Sequence, residues 1–357
     1  MTGLFFELLR LGIGNASPQE VSLPENCDWD SLKNLAEMQG LDAVVLDGLN
    51  KLPSSLLNMP DMFMLQWSGE VITYYENCFK PYQQAIAGLA GFYNSHHFKM
   101  MVLKGYACSI DWPRPEHRPI GDIDIWQFGD QRSADDVLKR EMGIEVDASH
   151  HHHTVFLWGD FAVENHYDFI NVHHHRSNAS FEKLLKELGQ DDTHFVTLDG
   201  EKVYLPSPNL HALFLLCHTK MHFAATGITL RNLLDWAFHV KAHGAEIDWE
   251  WLTGVLEEYG MKELTDIFNA ICVEDLGFDA ALFPAAKVDD GLKQRVLQEI
   301  LAPEIPNVKP EQWLKRAVWK LHRWKANEWK HQLCYKESMW SAFWSGVWNH
   351  LLKPSSI

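Results

Sequence analysis

Gly121-Asp122-Ile123-Asp124-Ile125 decides how this chain is read. In an extended strand the side chains at i and i+2 share a face, so Asp122 and Asp124 point together while Ile123 and Ile125 face a core. Two carboxylates this close repel unless a cation lies between them, and their hard oxygens suit Mg²⁺. Downstream, Val163-Glu164-Asn165-His166 alternates in the same way, with Glu164 and His166 on one face and Val163 and Asn165 on the other. Two aspartates and a carboxylate from a neighbouring strand can hold two metal ions, as in-line phosphoryl or nucleotidyl transfer requires. Taken alone, a D-x-D is also the pattern of a solvent-facing acidic strand edge.

Just upstream, KMMVLK (99–104) reads as a strand that ends in Lys104-Gly105, with a helix beginning near Tyr106. A glycine at such a turn lets the backbone approach a phosphate, and a helix start offers free N–H groups. Lys104 and Arg118 add positive charge there, although each is also explained as an ordinary strand-end lysine and a loop arginine within WPRPEHRP. Further strand-like runs are DIDIWQF (122–128), TVFLW (154–158), FAVENHYDF (161–169), THFVTL and KVYL, with one helix at about 133–142.

On both sides of this core the pattern is helical. Leu4, Leu8 and Leu11 recur at helical spacing, and Asp30 is placed to cap a helix through Leu32, Leu35 and Met38. From 61 to 93, Leu65, Ile72, Phe79, Ile86 and Leu89 fall near one face, with Pro81 expected to kink or restart the helix. Ser207-Pro208 marks a helix start. Helices are predicted at 208–223, 227–243, 249–259, 261–275, 290–301 and, broken, 311–352. The expected fold is therefore α+β. A small mixed-sheet core (97–206) lies between an N-terminal helical region (1–96) and a C-terminal helical domain (207–357).

The chain has 357 residues, enough for about two domains or three small ones at roughly 150 residues each. Its net charge of −17 repels phosphate backbones and argues against a stable nucleic-acid partner. A phosphate-bearing ligand then needs a local basic site or a divalent cation. Six cysteines without a C-x-x-C pair suit reduced thiols and a cytoplasmic location. The apolar N-terminus is broken by Glu7 and Arg10, and no stretch approaches the ~20 apolar residues of a transmembrane span. P-loop, G-x-S-x-G and H-R-D motifs do not occur, and Gly12-Ile13-Gly14 lacks the third glycine of a dinucleotide fingerprint.

Histidines form further patterns. His211, His218 and His222 (i, i+7, i+11) lie along one helical face, and Arg231 and Asp235 (i, i+4) could pair on the next helix. His218 and His222 have zinc-like spacing, yet no H-E-x-x-H and no third ligand accompany them; an interhelical hydrogen-bond network is the plain alternative. Among the runs 150–153 and 173–175 and His166, the last is ranked first for assisting proton removal beside Glu164. In 311–352, seven tryptophans are interleaved with basic residues, and Trp340, Trp344 and Trp348 form a stripe. Such a segment could meet RNA or a membrane surface; a core helix whose lysines complement the acidic body is favoured.

Several of these segments together resemble the bacterial uncharacterised nucleotidyltransferase family of the DNA polymerase beta-like nucleotidyltransferase superfamily. They are Leu103-Lys104-Gly105, Arg118-Pro119-Ile120-Gly121-Asp122-Ile123-Asp124, Val163-Glu164-Asn165-His166-Tyr167 and LHALFLLCHTKMHFAATGITLRNLLDW (Leu210 to Trp236). The likeness runs from about 98 to 240. It implies transfer of a nucleoside monophosphate from a nucleoside triphosphate, with ATP the expected donor, to an unidentified acceptor, and release of pyrophosphate. Asp122, Asp124 and Glu164 would be the catalytic metal ligands for Mg²⁺ or Mn²⁺. Lys104, Gly105, Arg118 and Gly121 would bind the nucleotide, and His166, His218, His222, Arg231 and Asp235 would contact nucleotide or acceptor. Two features depart from the superfamily pattern: Tyr106 replaces the Gly or Ser that usually follows the turn glycine, and sixteen residues separate Gly105 from Asp122. The alternatives are a non-catalytic nucleotide-binding or scaffold protein that keeps the fold, and a zinc hydrolase built on the histidines.

Overall fold

The computed structural model describes residues 1–150, 152–172, 177–305 and 310–339. The chain begins with α1 (Thr2–Ile13), α2 (Trp29–Met38), α3 (Asp42–Asn50), α4 (Asp61–Val71) and α5 (Asn77–Ser95). Helix α2 is capped by Asp28 rather than Asp30: Asp28 Oδ1 accepts from Ser31 N at 3.1 Å, and the earlier start takes the buried Trp29 into the helix. Pro81 sits inside α5, and the distortion lies upstream, in a π turn at Ile72–Glu76. Proline offers no N–H to the carbonyl four residues back and crowds it, which a wider preceding turn relieves. The extra residue rotates the helical face. Leu65 and Ile72, expected inside, are exposed; Trp67 and Val71 are buried instead, and Ile86 and Leu89 are buried as expected.

The sheet region follows: β1 (Met101–Val102), α6 (Tyr106–Ser109), β2 (Ile123–Trp126), α7 (Gln131–Met142), β3 (His153–Trp158), β4 (Phe161–His166), α8 (Asn178–Leu188), β5 (Phe195–Leu198) and β6 (Glu201–Tyr204). Helix α8 was not anticipated, although Phe181, Leu184, Leu185 and Leu188 repeat at helical spacing. The strand order is β3-β4-β2-β1-β6-β5, with β2 parallel to β4 and β1 parallel to β6, so the sheet is mixed and the α+β expectation holds. Ile123, Ile125 and Val163 are fully buried in a core shared with α5 and α7, on the face away from the aspartates.

Helices α9 (Pro208–Ala225), α10 (Leu230–His243), α11 (Trp249–Glu258), α12 (Lys262–Glu274), α13 (Asp290–Leu301), α14 (Trp313–Ala326) and α15 (Glu328–Cys334) complete the described chain. No described helix is long and apolar enough to cross a membrane. A second core runs through α1–α4, α9–α13 and α15 and reaches the aspartate face of the sheet through Trp126 and Phe169. Gln39 bridges the two ends of the chain, donating to Ile300 O at 3.1 Å and accepting from Leu230 N at 2.9 Å. Helix α14 departs from the core-helix expectation: Trp313, Val318 and Leu321 are exposed. At one end Arg323 and Asn327 donate to Ala225 O at 2.6 and 3.2 Å. The Trp340, Trp344 and Trp348 stripe, His151 and the run 173–175 lie outside the described residues.

The long insertion between Gly105 and Asp122 works as a strap. Arg114 reaches Asp47 at 3.0 Å and Glu76 at 2.9 Å, and His117 reaches the same two carboxylates at 2.7 and 3.1 Å. The strap thus fastens the N-terminal helices to the sheet.

Helices α1 and α3 cross at two glycines. A Cβ on Gly12 would lie 2.1 Å from Val44 O, and one on Gly48 would lie 2.1 Å from Leu8 O. Gly48→Ala gains up to ~1 kcal/mol of helix propensity but overpacks this contact, which costs about 1–3 kcal/mol. A lower denaturant midpoint is expected for either Gly12→Ala or Gly48→Ala.

Candidate active site

The parallel pairing of β2 with β4 sets the register Asp124↔Glu164 and Trp126↔His166, so Glu164 stands beside Asp124 on one face of the sheet. Asp122, just before β2, points to that same face and is exposed, whereas Asp124 is 2 % exposed. Lys104 Nζ lies 2.9 Å from Asp124 Oδ1, and His166 Nε2 lies 3.0 Å from the same oxygen. Glu164 Oε2 is 3.7 Å from His166 Nε2. Asp124, Glu164 and His166 each bring a donor atom within 4.8 Å of the others.

Burial opposes charge on Asp124, but Lys104 and the His166 hydrogen bond outweigh it and hold the carboxyl well below its ordinary range. Asp122, exposed as a residue but with its carboxyl turned into the cleft, moves up through partial loss of water there and the neighbouring charges of Asp124 and Glu164. Burial also opposes charge on His166, yet its bonds to Asp124 and Glu164 push it up to about 9. His153 and His152 behave oppositely: burial pushes them down to about 4 and about 3. His153 Nε2 lies 3.7 Å from Glu164 Oε1. Burial thus drives His152 and His153, which rank below His166 in the sequence reading, toward the neutral form, while Asp124 and Glu164 draw His166 toward its charged form.

The acidic face opens on a cleft of about 580 Å³, within the usual range for small-molecule sites. Lys104, Gly105, Arg118, Gly121, His218, His222, Arg231 and Asp235 also line it. His218 Nε2 is 3.3 Å from Lys104 Nζ and 3.1 Å from His222 Nε2, while His222 Nδ1 is 2.9 Å from Thr226 Oγ1. Burial, then the Lys104 charge, drives His218 well below its ordinary value. His211 does not join them. It is buried two turns earlier on α9, with Nε2 3.6 Å from Cys108 Sγ.

Asp235 pairs with Arg118 rather than Arg231. The Arg118 fork places Nε 2.8 Å and Nη2 2.9 Å from the two Asp235 oxygens, and Trp112 Nε1 donates to Oδ1 at 2.9 Å. A planar guanidinium matches both carboxylate oxygens in this way. Arg231 keeps a buried Nε with no hydrogen-bond partner among the described residues. Burial and then the Arg118 charge lower its pKa.

Gly105 has φ +56°, and a Cβ there would lie 2.5 Å from the Tyr82 hydroxyl, which donates to Asp122 O at 3.0 Å. Glycine at this bend is thus required by packing as well as by backbone conformation. The helix after it is a single turn of four residues. Tyr106 turns into the core beside Phe79, with its hydroxyl 3.4 Å from Gln83 Nε2.

The family model described as "Uncharacterised nucleotidyltransferase" matches residues 25–276. No curated protein matches the chain. A solved structure titled as an antigenic nucleotidyltransferase-like protein from Paracoccidioides brasiliensis is similar at 15 % identity with a TM-score of 0.33, over 45 % of this chain and 75 % of that one.

Two outcomes follow from the geometry. Asp235→Asn leaves the Arg118 charge buried without a counter-ion, and a loss of about 3–5 kcal/mol is expected in denaturant unfolding. In chelator-treated protein, His166 stabilises the fold fully below its ordinary value of 6.5, and this contribution is lost as pH rises through about 9. Unfolding measured across that window should show the loss in the wild type and not in His166→Gln.

Proposed function

The chain belongs to the uncharacterised nucleotidyltransferase family, and on that premise we propose that it transfers a nucleoside monophosphate from a nucleoside triphosphate, ATP by expectation, to an acceptor hydroxyl or amine. The observation that carries this reading is the Asp124↔Glu164 register, which sets two carboxylates side by side with Asp122 at the exposed end of the same face. The donor set fits a hard divalent ion, since its carboxylates outnumber its one imidazole and converge on a cleft that also holds Lys104 and Arg231. When bound, Mg²⁺ or Mn²⁺ would supply nucleophile activation and charge neutralisation at the leaving oxygens.

In this reading the acceptor attacks the α-phosphorus, the bond to the bridging oxygen breaks, and pyrophosphate departs. Asp122, Asp124 and Glu164 are the metal ligands. Lys104 balances Asp124 in the resting state and, lining the same cleft, is a cation available to a phosphate. Arg231, whose guanidinium is not consumed by Asp235, is better placed than Arg118 to bind an anionic part of nucleotide or acceptor. His218 and His222 extend the wall from Lys104 along α9.

The test is incubation with α-labelled nucleotides, Mg²⁺ and cell extract, followed by identification of the labelled acceptor and assay of pyrophosphate. Asp122→Asn and Glu164→Gln should each lower transfer by about 10³-fold or more, roughly 4 kcal/mol of transition-state stabilisation, with unchanged unfolding curves. Retained turnover in either variant overturns the assignment. Nucleotide binding with no pyrophosphate release across a broad acceptor panel would instead favour a non-catalytic binding role.

A further inference from the structure

A second cluster lies behind the cleft, where the strap meets α10. Asp111 follows α6 on the strap, and His239 and His243 lie one helical turn apart on α10. Asp111 Oδ1 is 3.2 Å from His243 Nε2, and Asp111 Oδ2 is 3.6 Å from His239 Nδ1. The donor atoms of all three residues fall within 4.8 Å of one another.

The outward nitrogens fix what the inward ones can do. His239 Nε2 is 3.1 Å from Pro208 O, and a carbonyl oxygen only accepts, so Nε2 carries the hydrogen and Nδ1 of the neutral ring is a lone pair. That Nδ1 is buried in a residue 2 % exposed and has no hydrogen-bond partner among the described residues. His243 Nδ1 lies 3.0 Å from Glu246 Oε1 and donates to it, and Nε2, hydrogen-bonded to Asp111 Oδ1 at 3.2 Å, is the nitrogen that would exchange its proton for a metal ion. An imidazole that gives its far N–H to a carbonyl or carboxylate and turns its near nitrogen inward is the arrangement of a metal-ligating histidine. Bonds of about 2.0–2.1 Å to a tetrahedral ion space its ligands about 3.3–3.5 Å apart, close to the 3.2 and 3.6 Å between the two imidazoles and the two Asp111 oxygens.

We propose that Asp111, His239 Nδ1 and His243 Nε2 form a zinc-class transition-metal site, separate from the acidic cleft, that fastens the strap to α10. Two imidazoles and one carboxylate select Zn²⁺, Co²⁺ or Ni²⁺ over Mg²⁺, whereas the carboxylates of the cleft, Asp124 and Glu164, favour the harder ion. The half-exposed His243 gives an entry path, and a fourth coordination position is left for water. The neighbour of Asp111 on the strap, Trp112, donates to Asp235 one turn before His239, so an ion here would also fix the segment that holds the Arg118–Asp235 pair.

The test uses the full chain, stripped with chelator, dialysed and titrated with Co²⁺ in excess Mg²⁺ so that the acidic face is occupied by the harder ion. Expected is a visible d–d band that saturates at one Co²⁺ per chain and is displaced by Zn²⁺. His243→Ala and Asp111→Asn should each abolish it, and Glu246→Gln should weaken binding by about 10–100-fold. Circular dichroism identifies any variant that fails to fold, and the remaining two then decide. No saturable band in the wild type, or a band that survives His243→Ala and Asp111→Asn, overturns the proposal. The first result would leave a protonated His243 bridging Asp111 and Glu246 as an ion pair, and the second would put the ion in the cleft, where His152, His153 and His166 also converge.

Discussion

The burial of the Asp124 carboxylate constrains the whole arrangement. Removing a carboxylate from water costs several kcal/mol unless cations and hydrogen bonds replace the solvent. Here the replacement comes from two directions, Lys104 from the bend after β1 and His166 from the end of β4. Three separate segments must therefore meet at one oxygen. Lys104 in turn touches His218 on α9, so the same charge that settles Asp124 also draws the helical body against the sheet and defines the cleft between them.

The strap repeats this logic at longer range. Its Arg114 and His117 meet Asp47 and Glu76, and its Arg118 and Trp112 meet Asp235. Individually, exposed pairs of this kind contribute little; the buried Arg118–Asp235 fork is another matter, because losing either partner strands a charge. Arg118 thus neutralises a carboxylate that packing has already enclosed. Arg231, by contrast, has no such partner on its Nε among the described residues, and it lies in the cleft wall.

Much of the helical framework was readable because amphipathic spacing is a local property: α1, α7, α9 and α13 lie close to where their apolar repeats put them. The misreadings have equally local causes. The π turn before Pro81 inserted a residue into the repeat and moved Leu65 and Ile72 outside. Trp29 drew the start of α2 back to Asp28. In the described part of the tryptophan-rich segment, Trp313, Val318 and Leu321 are exposed, because amphipathicity says only that a helix has two sides, not that a partner covers one of them.

From the sequence alone came the alternation that sends Asp122 and Asp124 to one face and Ile123 and Ile125 to the other, because strand geometry is fixed by the backbone within a few residues. Glu164 and His166 were assigned a shared face by the same rule. Only the tertiary structure decided that this face is the same one, that Asp235 belongs to Arg118 across 117 positions of chain rather than to Arg231 one turn away, and that His211 leaves its helical companions for Cys108. Such choices depend on which register and which docking bury the most apolar surface without stranding a charge, a condition on the whole chain that no short stretch of it contains.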